Sequence, residues 1–141
     1  MFFADPVAAF TNIGRALRPG GRMVQLVWQE RDRNEWATAI RHALAAESAT
    51  ARRPDAFSLA DPTVTEEILS AAGFTEVGFT EVHEPVYYGP DADKAFDAVV
   101  GLWGFNDEQA RTRLRATVDS HTTDGGVYFD SRSWIVTASR S

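Results

Sequence analysis

Residues 5–28 read DPVAAFTNIGRALRPGGRMVQLVW, and the fold class follows from how this stretch is read. Asp5 is a strong helix N-cap, and Pro6 suits the first helical position, where its missing N–H loses no partner. The spacing that follows puts Val7, Phe10, Ile13, Gly14 and Leu17 on one face, with Asn12, Arg15 and Arg18 elsewhere. A helix starting at Pro6 is therefore expected to lay that face on an apolar surface. Pro19 cannot continue the helix, and Gly20-Gly21 can take the left-handed conformations that reverse a chain within a few residues. Met23, Val24, Leu26, Val27 and Trp28 follow with only Gln25 interrupting. Such a run predicts a strand covered on both faces, and so a parallel sheet.

With 141 residues, 44% of them hydrophobic, the chain is expected to form one domain over 1–141 that buries roughly two-thirds of its unfolded surface. The net charge is -6, and the 14 basic residues are scattered, with Arg52-Arg53 the only adjacent pair. That argues against a nucleic-acid partner, because phosphate binding needs clustered Lys and Arg. The absence of cysteine excludes a disulfide framework, a thiol nucleophile and a Cys-based zinc site. The N-terminus lacks the charged and apolar regions of a secretion signal, and no apolar run approaches spanning length. A cytoplasmic protein without a membrane partner is expected.

Along the rest of the chain, the periodicity predicts a helix from Glu35 to Ser48, carrying Trp36, Ile40, Ala43 and Leu44, and then a loop from Thr50 to Ser58. Asp61-Pro62 repeats the helix-start signal, Ile68, Leu69 and Ala72 form its apolar side, and Gly73 ends it. Val77 and Phe79 alternate with polar residues, and a second piece at Val82–Tyr88 resumes after an irregularity near Glu81–Pro85. This reads as a half-buried strand near a sheet edge, since Pro85 cannot donate to a ladder. Asp91 and Asn106 are expected to cap two further helices that cover the sheet. Asp124-Gly125-Gly126 is a turn, and Val127–Phe129 and Ser133–Ser139 are closing strands.

The order of these pieces resembles the C-terminal half of a class I S-adenosylmethionine-dependent methyltransferase, nearest to its ubiquinone/menaquinone-type branch acting on small molecules. Met1-Phe2-Phe3-Ala4-Asp5-Pro6 is similar to the family's segment after the fourth strand, and Ala16-Leu17-Arg18-Pro19-Gly20-Gly21 to its turn before the fifth. Phe57–Pro62 and Ala71-Ala72-Gly73-Phe74 resemble the helix before the sixth strand, and Ser133–Ala138 the last strand. The resemblance implies an α/β fold: a partial Rossmann-like sheet of C-terminal strands, the last antiparallel, with covering helices. It also implies S-adenosyl-L-methionine as methyl donor and a small-molecule methyl acceptor. In the family the donor is held by a glycine-rich loop after the first strand and an acidic residue ending the second. This chain has neither, so it reads as the substrate-side half of a longer ancestor, not active alone.

Site residues follow from the same resemblance. Phe2 and Phe3 sit where donor and acceptor would meet, and Trp28 and Gln29 end the buried strand on the side where open α/β sheets bind ligands. Trp36 and Trp103 lie on helices that could roof a substrate pocket, although aromatics at helical spacing are more often core. No catalytic side chain and no metal site are assigned. His42, His83 and His121 have no second ligand at metal-binding spacing, and they read as surface or helix-face residues. His83-Glu84 is no acid/base pair, because adjacent strand residues point to opposite faces.

Without its neighbouring strands, Met23–Trp28 would be an apolar edge with unpaired backbone groups. A homo-oligomer, or association with a separate cofactor-binding chain, is expected through that edge. The alternative reading is a non-catalytic self-association or protein-binding module derived from a methyltransferase.

Overall fold

The structure, a computed structural model, describes residues 2–43, 56–104 and 106–141. The chain folds as two compact units, residues 1–30, 52–82 and 132–141 forming unit 1 and residues 31–51 and 83–131 forming unit 2.

Unit 1 begins with helix α1 (Pro6–Ala16), whose cap is as expected: Asp5 accepts from the backbone N–H of Ala8 at 2.9 Å. Strand β1 (Arg22–Trp28) follows the Gly20-Gly21 turn, in which Gly20 takes the left-handed φ of 73°. Helix α3 (Pro62–Ala71) repeats the capping, with Asp61 accepting from Thr63 N–H at 2.8 Å. Strands β2 (Phe74–His83) and β6 (Arg132–Arg140) complete a three-stranded sheet in the order β1-β6-β2. β6 runs antiparallel to β1, from Arg22↔Ser139 to Trp28↔Ser133. Between β6 and β2 the residue numbers also run oppositely: Ser139 bonds to Glu76, and Arg132 to Glu81. Phe10, Met23, Val27, Leu59, Leu69, Phe74, Val136 and Ala138 form the core, with Ile13, Val77, Phe79 and Trp134 packed against it.

This sheet corrects the expectation for β1. Its only pairing among the described residues is antiparallel, and it is covered on one face. Met23 and Val27 are buried, whereas Val24 and Leu26 are 63% and 58% exposed. An apolar run does not by itself say what lies against its second face; that depends on strands and helices supplied from elsewhere in the fold.

Unit 2 contains a short 3-10 turn (Arg31–Arg33), helix α2 (Glu35–Ala43), strand β3 (Val86–Gly89), helices α4 (Ala92–Trp103) and α5 (Glu108–Ser120), and strands β4 (Thr122–Thr123) and β5 (Gly126–Phe129). Its sheet has the order β3-β5-β4. α4 packs on β3, β5 and α5, and α5 also packs on α2, which buries Ile40, Val99, Leu114, Val118, Val127 and Phe129. α2 is described to Ala43, so the predicted extension to Ser48 and most of the Thr50–Ser58 loop lie outside the described residues.

Two further expectations change here. The strand anticipated as one interrupted piece is two strands, because the break at Glu84-Pro85 separates β2, in the larger sheet, from β3, in the smaller. The cap of α5 is Asp107, accepting from Ala110 N–H at 2.7 Å, and not Asn106. The two short polar residues are adjacent, and only the backbone path shows which has extended φ/ψ.

Candidate functional site

In unit 1 the polar side chains gather where β1 and β2 end and β6 begins. Gln29, the residue after β1, is 1% exposed. Its N–H donates to Arg132 O at 3.0 Å, and its side-chain amide donates to Ser133 O at 3.0 Å and to a Glu81 carboxylate oxygen at 3.4 Å. The same oxygen accepts from the Arg132 guanidinium at 2.9 Å. The buried amide thus ties three strands together, and the half-exposed Glu81–Arg132 pair presents both charges at the carboxyl end of β1, the side where open α/β sheets bind ligands. Trp28 is half-buried beside them. Phe2 is 66% exposed, and Phe3 meets Phe10 edge-on, ring centroids 5.7 Å apart.

Unit 2 holds the other two predicted aromatics. Trp36 is buried and donates its indole N–H to Asn34 Oδ1 at 3.2 Å, and its ring lies 6.3 Å from that of Trp103. The structure therefore brings Trp36 and Trp103 together.

A second polar network in unit 2 was invisible in the sequence. His121 Nε2 lies 2.9 Å from one carboxylate oxygen of Glu35, and its Nδ1 lies 2.7 Å from Thr117 O. The imidazole stacks on Phe129 at 4.2 Å. The other Glu35 oxygen accepts from Asp130 N–H at 2.9 Å, and Glu35 N–H donates to Asp130 O at 3.1 Å. Asp130 in turn holds His83 Nε2 at 2.6 Å. His83 and His121, read from the sequence as surface or helix-face residues, are each paired with a carboxylate, 47 and 86 residues away in sequence. No local spacing could have linked them. The carboxylate on Nε2 orients the half-exposed His83 ring.

Burial pushes the Glu35 carboxyl upward, but the His121 and Asp130 hydrogen bonds and the His121 charge outweigh it, so the group is held below its ordinary value of 4.5. A depressed carboxyl adds stability above the unfolded value and loses it as the pH falls through the folded one. Thermal midpoints of the native chain and Glu35→Gln, measured from pH 6 to 3, are expected to converge below about pH 4.5. A constant gap across that range would count against the His121 pairing. Burial also raises Tyr88, packed on Phe129, to about 12, so it remains a neutral phenol.

On α4 and α5, an open groove is lined by Phe96, Glu108, Arg111, Arg115 and Asp119. Its cations are already engaged: both guanidiniums lie over Phe96, at 5.0 and 5.9 Å, and Arg115 pairs with Asp93 and Asp119. Among the described residues, no group of three or more acidic or histidine side chains could hold a metal, and no helix is long and apolar enough to cross a membrane.

No protein-family model matches the chain. No curated protein sequence matches it either. Among solved structures, the chain is similar in fold to one from Bacillus halodurans named a "putative methyltransferase", with a TM-score of 0.53 at 17% identity. That similarity covers 99% of this chain but 64% of the other, so the chain spans less than two-thirds of the protein it matches. At the level of fold, then, this mixed α/β chain, with its antiparallel closing strand, is methyltransferase-like.

Proposed function

We propose that this chain is the substrate-side portion of a methyltransferase that moves a methyl group from S-adenosylmethionine to a small-molecule acceptor. The observation that carries this reading is the sheet order β1-β6-β2, with the last strand inserted antiparallel beside β1, in a chain whose fold is similar to 64% of a putative methyltransferase. On this reading Trp28, beside the buried Gln29, faces the acceptor and Phe2 and Phe3 flank the place where donor and acceptor meet, while Trp36 and Trp103 pack on each other within unit 2. Positioning the acceptor in line with the methyl group supplies much of the catalysis, which suits a site built from aromatics and a locked amide.

The described residues do not fit the donor itself. β1 runs into Gln29-Glu30 and a 3-10 turn, and β2 into Glu84-Pro85, so neither leads through a glycine-rich loop into a helix whose backbone could approach a nucleoside. The donor is then held by a cofactor-binding chain or segment beyond these residues. Calorimetric titration of the chain with S-adenosylmethionine is expected to give no heat of tight binding. Adding a short-chain quinol is expected to shift the Trp28 indole and Gln29 side-chain amide resonances. Micromolar donor binding by the chain alone would overturn the assignment of the missing half, and unmoved Trp28 and Gln29 signals would overturn the acceptor site. The exposed Val24 and Leu26 favour a second reading, a non-catalytic association module on the same fold.

A further inference from the structure

Both ring nitrogens of His121 face acceptors. Nδ1 lies 2.7 Å from the Thr117 carbonyl oxygen, which can only accept, so this nitrogen carries a proton. The Ser120 hydroxyl, 3.1 Å from Nδ1, donates its one proton to the same carbonyl at 2.8 Å. Nε2 lies 2.9 Å from Glu35 Oε1. The Glu35 carboxyl is held below its ordinary value of 4.5, so near neutral pH it is a carboxylate, which also only accepts. A neutral imidazole has one N–H and one lone pair, and it satisfies one of the two contacts while turning a lone pair on the other. The imidazolium, a donor at both nitrogens, satisfies both. The surroundings suit the two charges. Glu35 lies in the first turn of α2 and His121 is the C-cap of α5, so each sits at the helix end whose dipole favours its sign. The ring also stacks on Phe129 at 4.2 Å, an aromatic face that attracts a cation.

We propose that His121 is a proton-operated clasp: with two protons on its ring it holds the first turn of α2 to α5 and to the end of β5, and loss of one proton releases that turn. The groups facing the ring are Glu35 from α2, the Thr117 carbonyl and Ser120 hydroxyl from α5, and Phe129 from β5. Behind Glu35 stands Asp130 with its partner His83, and on Phe129 packs Tyr88, a neutral phenol up to about 12. Between about pH 6 and 9 the charge changes in this set belong to the two histidines. The Thr117 bond is local, four residues apart on one helix, so a neutral ring keeps its Nδ1 proton there and turns the Nε2 lone pair on the Glu35 carboxylate. Glu35 then moves off. Its other oxygen leaves the Asp130 N–H that it accepts at 2.9 Å, so one proton governs two contacts. Glu35 directly precedes Trp36, and the clasp therefore also fixes the helix start that sets Trp36 against Trp103. The contact is complete while the ring is charged and is lost as the pH rises through the loss of its proton, the sense for a histidine that gains a partner on folding. The clasp lies within unit 2 and is independent of methyl transfer.

In the full chain, NMR of the His121 ring nitrogens from about pH 6 to 9 reports the proton directly. Hydrogen exchange at the Asp130 amide, corrected for its intrinsic pH dependence, reports the clasp. Protection of Asp130 is expected to fall about tenfold in the same step in which the ring goes from two protons to one. Glu35→Gln is expected to abolish the step, because its amide can donate to a neutral Nε2 as well as accept from a charged ring. His83→Asn, which removes the other charge change in this range, is expected to keep it. The unsubstituted chain decides the matter even where a variant fails to fold. Asp130 protection that stays constant over this range, or that changes at a pH where the His121 ring does not, would overturn the proposal. So would a step that persists in Glu35→Gln or vanishes in His83→Asn.

Discussion

Phe10→Ala is expected to cost unit 1 about 3–5 kcal/mol, the range for deleting a buried aromatic whose surroundings cannot close over the gap. Phe10 is 1% exposed, and it packs among Met23, Val27, Leu69, Phe74 and Val136, with Phe3 edge-on at 5.7 Å. Gly14, one turn further along α1, faces the Phe74 ring, and an added Cβ there would stand at an ordinary contact distance of 3.5 Å. Phe10→Leu keeps most of the volume and should cost less than about 1.5 kcal/mol. Denaturant unfolding followed by far-UV circular dichroism would check both. If Phe10→Ala costs no more than the same change at the exposed Phe2, the assignment of α1's buried face is wrong.

The second large effect belongs to unit 2. Gly126 opens β5 with φ of 118°, a conformation that side chains resist, and a Cβ there would lie 2.6 Å from the Gly89 carbonyl oxygen and 2.8 Å from the Tyr87 ring. The ring has some freedom to move; the carbonyl belongs to the backbone of β3 and has little. Gly126→Ala therefore combines strain of about 1–3 kcal/mol with a separation of β3 from β5. The expected result is loss of the β3–β5 pairing, read as loss of near-UV dichroism from the Tyr87–Tyr128 and Tyr88–Phe129 pairs. Gly125 is the control. Its added Cβ meets its nearest atoms at 3.8 and 3.9 Å and its φ is not positive, so Gly125→Ala should change stability little. Equal effects at both positions would contradict the described hairpin.

The two sites differ in how far the sequence foretold them. Trp28 and Gln29 were expected at the end of β1 because strand direction and the turn before it are local matters, and that is where they stand. Their partners were not legible. Glu81 and Arg132 reach Gln29 from strands 52 and 103 residues away (81 − 29 and 132 − 29), and no spacing rule spans such distances. Likewise the Trp36–Trp103 pair joins α2 to the end of α4, and the His121–Glu35–Asp130–His83 network arises from the packing of α2 against α5 and from where β5 ends.

What the amino-acid sequence determined by itself is the set of local elements. Asp5, Asp61 and Asp91 each cap a helix by bonding a backbone N–H two or three residues on, so a few neighbouring residues suffice to specify the start. The glycines that end or reverse elements work the same way, through their own φ. Tertiary structure alone decided which face of β1 is covered, that β2 and β3 join different sheets across Glu84-Pro85, and that Asp107 and not Asn106 begins α5. The physical reason is common to all three. A strand carries no internal hydrogen bonds, so its partner, its direction and its buried face are contributed by residues distant in sequence, and an adjacent pair of capping candidates is resolved only by the path the backbone takes to reach them.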